Sequence, residues 1–224
     1  MTLGDWVRLK ADDGHELDAF LAPAAGPSRG GLIILQEIFG VTDQLKACAR
    51  AFAADGFDSL VPALFDRVAP GTVIPFEELE AARRMPGLLT EEAILKDIAA
   101  ARDRFDAATP VSVMGFCWGG GLAVAAAGRL RLAGAVSYYG TRLAERLQPP
   151  PLCPLLFHFG ETDTHTPPEV IAAVRAALPD AEVQVYAAGH AFANEARSSV
   201  YVPEAAATAR ARSLAFLERC HAKS

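Results

Sequence analysis

Several things are scarce in this sequence, and each scarcity removes a class of function. The 224 residues carry 27 acidic against 21 basic side chains, a formal charge of -6, and the lysines and arginines are scattered rather than clustered. Without a basic footprint the chain has no means of tracking a phosphate backbone, so no nucleic-acid partner is expected. Cysteine is sparse, with Cys48, Cys117, Cys153 and Cys220 well separated and none in a C-x-x-C pair. Neither a disulfide framework nor a zinc site is expected from such spacing. The N-terminus has no uninterrupted hydrophobic run either. Met1 to Lys10 alternates polar with apolar residues, unlike a signal peptide or a membrane span, which leads to the expectation of a cytoplasmic protein with no membrane partner. There are no internal repeats and no low-complexity tails.

What is present is ample apolar material, 51% of residues, enough for one substantial core, and a single domain over residues 1–224 is expected. Trp6 to Lys10 and Glu16 to Ala22 alternate with period two about Asp12-Asp13-Gly14, the pattern of an antiparallel hairpin. From Gly31 onward the pattern changes to short continuous apolar runs, which suit a parallel sheet covered on both faces. These runs are Gly31 to Leu35, Asp58 to Val61, Val111 to Met114, Ala133 to Ser137, Leu155 to Phe159 and Glu182 to Tyr186. Helical composition fills Gln44 to Asp55, Glu91 to Ala107, Trp118 to Ala127, Pro168 to Leu178 and Pro203 to Arg219, so the order is β-α repeated. Pro62 to Thr90 is long for a connection, with a short helix expected at Glu77 to Arg84; it reads equally as a pocket wall or a surface excursion.

The sharpest local signal is Gly115-Phe116-Cys117-Trp118-Gly119, between an apolar strand and a helix of small residues. It is a G-x-nucleophile-x-G elbow with cysteine in the serine position. A nucleophile on so sharp a turn brings backbone too close for a Cβ at the flanks, hence the glycines. The partial positive charge of a helix N-terminus also favours a thiolate there. Gly115, Gly119 and Gly121 also fit a dinucleotide loop, but the next strand ends without the acidic residue that would hold a ribose, and the motif lies mid-chain instead of opening the first βαβ unit. A nicotinamide-dependent oxidoreductase and a catalytically silent binding protein therefore stay open as alternatives.

A cysteine nucleophile needs a base, and the base an orienting carboxylate, in the chain order nucleophile, acid, histidine. Asp163 follows the strand Leu155 to Phe159, and His190 follows Glu182 to Tyr186. Residues just past the carboxyl ends of parallel strands converge on one edge. His165 is the rival base within the acid's own turn, His158 reads as a hydrogen-bonded core residue, and His15 and His221 fall in a hairpin and a tail. Glu37, directly after the strand Gly31 to Leu35, lies in the connection that supplies an oxyanion-hole N–H in α/β-hydrolases. The oxyanion donors are expected to be the backbone N–H groups of Ile38 and Trp118.

At Gln36-Glu37-Ile38-Phe39-Gly40, Gly115 to Gly120, Tyr138-Tyr139-Gly140, Gly160 to Asp163 with Pro167, and Gly189-His190-Ala191-Phe192, the chain resembles the dienelactone hydrolase family. The resemblance implies an α/β-hydrolase fold, with a mostly parallel central sheet, helices on both faces and the N-terminal antiparallel hairpin. It implies hydrolysis of a small-molecule ester or lactone by Cys117, His190 and Asp163, with no metal or organic cofactor, in a monomer or small homo-oligomer. Glu37 then interacts with the resting thiol, and Tyr139, Phe192 and Asn194 contact substrate. Asn194 departs from the family pattern, because an arginine for a substrate carboxylate is expected there. Arg67, Arg83, Arg84 and Arg197 are the candidates to replace it.

Overall fold

The computed structural model describes residues 4–223; Met1 to Leu3, which open the alternating N-terminal stretch, lie outside them. The chain divides at Val111 into two compact units. In the first, strands β1 (Asp5–Lys10), β2 (Glu16–Ala22), β3 (Gly31–Leu35) and β4 (Asp58–Pro62) pair in the order β1-β2-β4-β3. The first two pairings are antiparallel and the last is parallel. The Asp12-Asp13-Gly14 turn closes as expected: Ala11 N–H donates to His15 O at 2.8 Å, and Gly14 takes φ +86°. Cross-strand Trp6 and Phe20 stack edge to face with centroids 5.9 Å apart. All five residues of β3 are buried, as a continuous apolar run requires. Helix α1 (Asp43–Ala54), capped by Thr42 Oγ1 accepting from Leu45 N–H at 3.2 Å, packs on β2 and β4.

The long connection folds as a 3-10 turn at Leu64–Arg67, an irregular strap of turns through residues 68–78, helix α2 (Leu79–Arg84) and a second 3-10 turn at Met85–Leu88. Helix α3 (Glu91–Asp103) follows, capped by Thr90. It ends four residues short of the expected Ala107, because Phe105 N–H turns back to Arg102 O and Thr109 N–H to Asp106 O.

In the second unit β5 (Val111–Phe116), β6 (Gly134–Tyr138), β7 (Leu155–Gly160) and β8 (Glu182–Tyr186) pair in chain order, all parallel. Every residue of β5, β6 and β7 is buried. Helices α4 (Trp118–Ala127), α5 (Pro168–Ala177) and α6 (Pro203–His221) connect or follow them. Successive residues of β6 meet helices on opposite sides. Gly134 lies under Phe216 and Cys220 of α6, and Tyr138 Oη bonds Ser213 of α6 at 2.7 Å, whereas Ser137 faces Gly120 of α4. His221 is not in a loose tail: it ends α6, with a ring nitrogen 2.8 Å from Ser112 Oγ.

Candidate active site

Cys117 is the single residue between the end of β5 and the start of α4, and its backbone is strained, with φ 52° and ψ -115°. A side chain there costs about 1–3 kcal/mol and persists only where neighbours enforce it. They do so here. Cys117 N–H donates to Tyr138 O at 3.0 Å, and its carbonyl accepts from Thr141 N–H at 3.1 Å and Gly121 N–H at 3.2 Å. The glycines serve backbone approach: a Cβ at Gly115 would strike the Gly119 carbonyl, and one at Gly121 the Thr141 carbonyl. Both positions are filled by protein backbone, unlike the open cradle that a pyrophosphate needs. The thiol is half-buried, and Trp118 opens α4, where backbone N–H groups lack intrahelical acceptors.

The acid and the base come from adjacent strand ends, and their turns are bonded to each other. Glu161 N–H donates to Tyr186 O at 2.8 Å, while Thr162 N–H and Thr162 Oγ1 both reach Ala188 O, at 3.0 and 3.1 Å. Gly160 permits this approach, since a Cβ would lie 2.6 Å from Ala188 O and 2.7 Å from Gly189 O. Across this junction His190 Nδ1 lies 2.8 Å from Asp163 Oδ2, and Asp163 Oδ1 accepts from His165 N–H at 2.8 Å. The Asp163 side chain is fully buried. Its burial favours the neutral acid, but the hydrogen bond and charge of His190 and the His165 N–H outweigh this and hold its pKa below the usual 3.8. For His190, burial opposes the charged form, yet hydrogen bonds to Asp163 and Cys117 and the negative charge on both raise its pKa to about 10. The structure thus brings Cys117, His190 and Asp163 into one hydrogen-bonded line.

The model of the dienelactone hydrolase family matches residues 17–221. The carboxymethylenebutenolidase of Pseudomonas putida is 33% identical over 234 aligned positions, covering 99% of either chain. The chain belongs to the dienelactone hydrolase family. Carboxymethylenebutenolidase 1 of Cupriavidus pinatubonensis is 29% identical, over 96% of this chain and 97% of its own. Among solved structures, a Klebsiella pneumoniae protein assigned to the dienelactone hydrolases superposes with a TM-score of 0.81 at 25% identity, covering 96% of this chain and 98% of the other. A dienelactone hydrolase-like promiscuous phosphotriesterase from metagenomic libraries gives 0.76 at 21% identity over 97% and 98%. The fold is that of an α/β-hydrolase, and the protein is a dienelactone hydrolase-like hydrolase.

Around the line of three, this family member packs aromatic rings. Tyr139 meets the His190 ring edge to face at 5.2 Å and Phe192 at 5.3 Å, and the His165 ring lies 4.6 Å from that of His190. Tyr139, Phe192 and Asn194, the three expected to touch substrate, are all buried. The contacts they make brace the His190 turn. Asn194 N–H donates to Ala191 O at 3.0 Å and its Oδ1 accepts from Ala196 N–H at 3.2 Å, closing a turn. Of the candidate arginines, Arg67 is held by Asp97 at 2.7 and 2.8 Å and by Asp13 at 2.9 Å, and Arg83 pairs with Glu80 at 2.7 Å. In the first unit Glu37 is buried and Ile38 half-buried.

Two features were missed from sequence. Thr162 ties the acid turn to the base turn, which no pattern announces. His158 is the expected core histidine, with Nδ1 2.8 Å from Tyr186 Oη and Nε2 2.9 Å from Ser213 Oγ, and burial lowers its pKa to about 3. Its partners went unassigned, although Ser213 on the apolar face of α6 was a visible signal. Among the described residues no group of three or more His, Cys, Asp or Glu side chains could hold a metal ion, and no helix is long and apolar enough to cross a membrane.

Proposed function

We propose that this dienelactone hydrolase-like enzyme acts as one cytoplasmic α/β-hydrolase domain that cleaves carboxylic esters or lactones through a Cys117–His190–Asp163 triad and an acyl-thioenzyme. The observation that carries the reading is His190 held by Asp163 at 2.8 Å while also hydrogen-bonded to Cys117. The Cys117 sulfur attacks the carbonyl carbon, and charge gathers on the carbonyl oxygen, where the N–H groups of Ile38 and Trp118 are the assigned donors. Collapse expels the alkoxide, which takes the proton from the His190 imidazolium, leaving a thioester. Water then gives a proton to His190 and attacks the thioester carbon, and the C–S bond breaks as the sulfur leaves.

The electrostatics suit this alternation. Before attack, Cys117 and Asp163 together keep the imidazole protonated. Once the sulfur is a neutral thioester its charge is gone, Asp163 alone opposes burial, and the His190 pKa falls toward the range of a useful base. Asp163 keeps the ring in place throughout. Glu37 is assigned to the resting thiol, and every proton in the scheme passes between side chain, substrate and water. Brief incubation with an activated aryl ester should add one acyl group to Cys117 by mass spectrometry. An unmodified Cys117 under conditions of full turnover would refute the scheme.

A further inference from the structure

The residue after His190 is strained. Ala191 has φ 62°, a left-handed conformation that a side chain keeps only where its surroundings enforce it. Phe192 supplies the enforcement. It is wholly buried, its ring meets those of Tyr139 at 5.3 Å and Tyr186 at 5.2 Å, and its carbonyl accepts from Val202 N–H at 3.0 Å. Tyr186, the last residue of β8, is in turn tied through both main chain and side chain. Its carbonyl accepts from Glu161 N–H of the acid turn at 2.8 Å and from Ala188 N–H at 2.7 Å. Its Oη lies 2.8 Å from His158 Nδ1 and 3.3 Å from Arg212 Nη1. A guanidinium only donates, so Oη accepts there and gives its own proton to Nδ1. The imidazole Nε2 is then the donor to Ser213 Oγ at 2.9 Å, and Ser213 meets Tyr138 Oη at 2.7 Å. Burial and the Arg212 charge keep His158 neutral, with a pKa lowered to about 3, so this chain of bonds runs in one direction.

From this we infer that Tyr186 is a positioning residue for the base: tethered to α6 through His158 and Arg212, its ring holds Phe192, and Phe192 holds the strained turn that presents His190. The inference rests on His190 acting as the base, as proposed above. All the residues it uses belong to the second unit. The imidazole has to be aimed at water before a thioester can be hydrolysed, and a misplacement of about 1 Å can cost about a hundredfold in rate. His158, which exchanges no proton in the reaction scheme, acts here as a tether between α6 and the end of β8.

The test follows the acetyl-thioenzyme in the full-length protein. With p-nitrophenyl acetate the departing phenolate needs no proton from His190, whereas the water that releases acetate must give one to it. Tyr186→Ala should slow deacylation by about tenfold or more while acylation changes by less than about threefold, so that acetyl-Cys117 accumulates during turnover and is seen by mass spectrometry. Tyr186→Phe, which keeps the ring and loses the tether, should fall between this variant and the wild type; a rate equal to either would overturn the part assigned to the ring or to the tether. If Tyr186→Ala does not fold, Tyr186→Leu, which fills most of the space with neither ring nor hydroxyl, takes its place. Deacylation at the wild-type rate in that variant overturns the role of Tyr186 while leaving the triad standing. Equal slowing of acylation and deacylation overturns it as general damage. Full turnover with no acetyl-Cys117 in any of the proteins would instead overturn the triad, and the positioning role with it.

Discussion

A histidine and an aspartate are ordinary residues until their neighbours make their proton affinities diverge. Cys117→Ala should abolish ester turnover with the fold intact by circular dichroism, and His190→Ala should lower kcat by about four to six orders of magnitude. Asp163→Asn should cost ~10³–10⁴-fold in kcat, because the imidazole loses its tautomer and orientation. His165→Ala should be mild: the backbone N–H that holds Asp163 Oδ1 survives the substitution, and the side chain is exposed. Steady-state kinetics on one aryl acetate measure all four. The proton on His190 gives a separate check. Its folded pKa of about 10 lies above the ordinary 6.5, so its stabilisation is complete below pH 6.5 and is lost as the pH rises through 10. Asp163 runs the other way, contributing above the ordinary carboxylate range and losing its contribution as the pH falls through its depressed value. An NMR titration of the imidazole should find the pKa lower in Cys117→Ala than in the wild type, because two of the contributions that raise it vanish.

Between elements, what matters is how closely two backbones may approach and whether a buried charge keeps its partner. Gly160 is the contact point between the acid turn and the base turn. Gly160→Ala would push a methyl against two backbone carbonyls, with an expected cost of about 1–3 kcal/mol by urea denaturation. It should also lower kcat by spreading Asp163 from His190, and an unaltered kcat would show that the two turns are not coupled in this way. The first unit has its own junction in Arg67, which joins the carboxylate of Asp97, almost wholly buried on α3, to the hairpin turn at Asp13. Arg67→Ala would strand the Asp97 charge and should destabilise the protein by about 3 kcal/mol. Asp97 sits on the inward face of α3 beside Ile94, Ile98 and Ala101, a place where a carboxylate must have a partner.

For the molecule as a whole, the open matter is substrate charge. Asn194 is neutral and closes its own turn, Arg67 is committed to two carboxylates, and Arg83 is paired at the surface. A charged bidentate contact to a substrate carboxylate is worth about 1.5–3 kcal/mol, or one to two powers of ten in specificity. The protein should therefore prefer a carboxylated lactone over its methyl ester by less than about tenfold in kcat/KM. A preference of a hundredfold, lost in Arg83→Ala or Arg84→Ala, would mean that the long connection supplies the missing cation.

The division between chain and fold follows from the range of each interaction. All eight strands were legible, β2, β3, β8 and α4 to the residue, because alternation and apolar runs are properties of consecutive residues. Cys117, Asp163 and His190 were legible because a strand end followed by glycine is a local pattern, and parallel strands carry such ends to one edge. Errors fell where hydrogen bonds outside the pattern decide, at the end of α3 and at His221. Tertiary structure alone decided that Thr162 bonds Ala188, that Tyr139 and Phe192 pack around His190, and that the strap lies on Gly40. Those contacts join residues 26, 53 and 33 positions apart. Sequence specifies which groups can bond, and only the folded path brings them within reach.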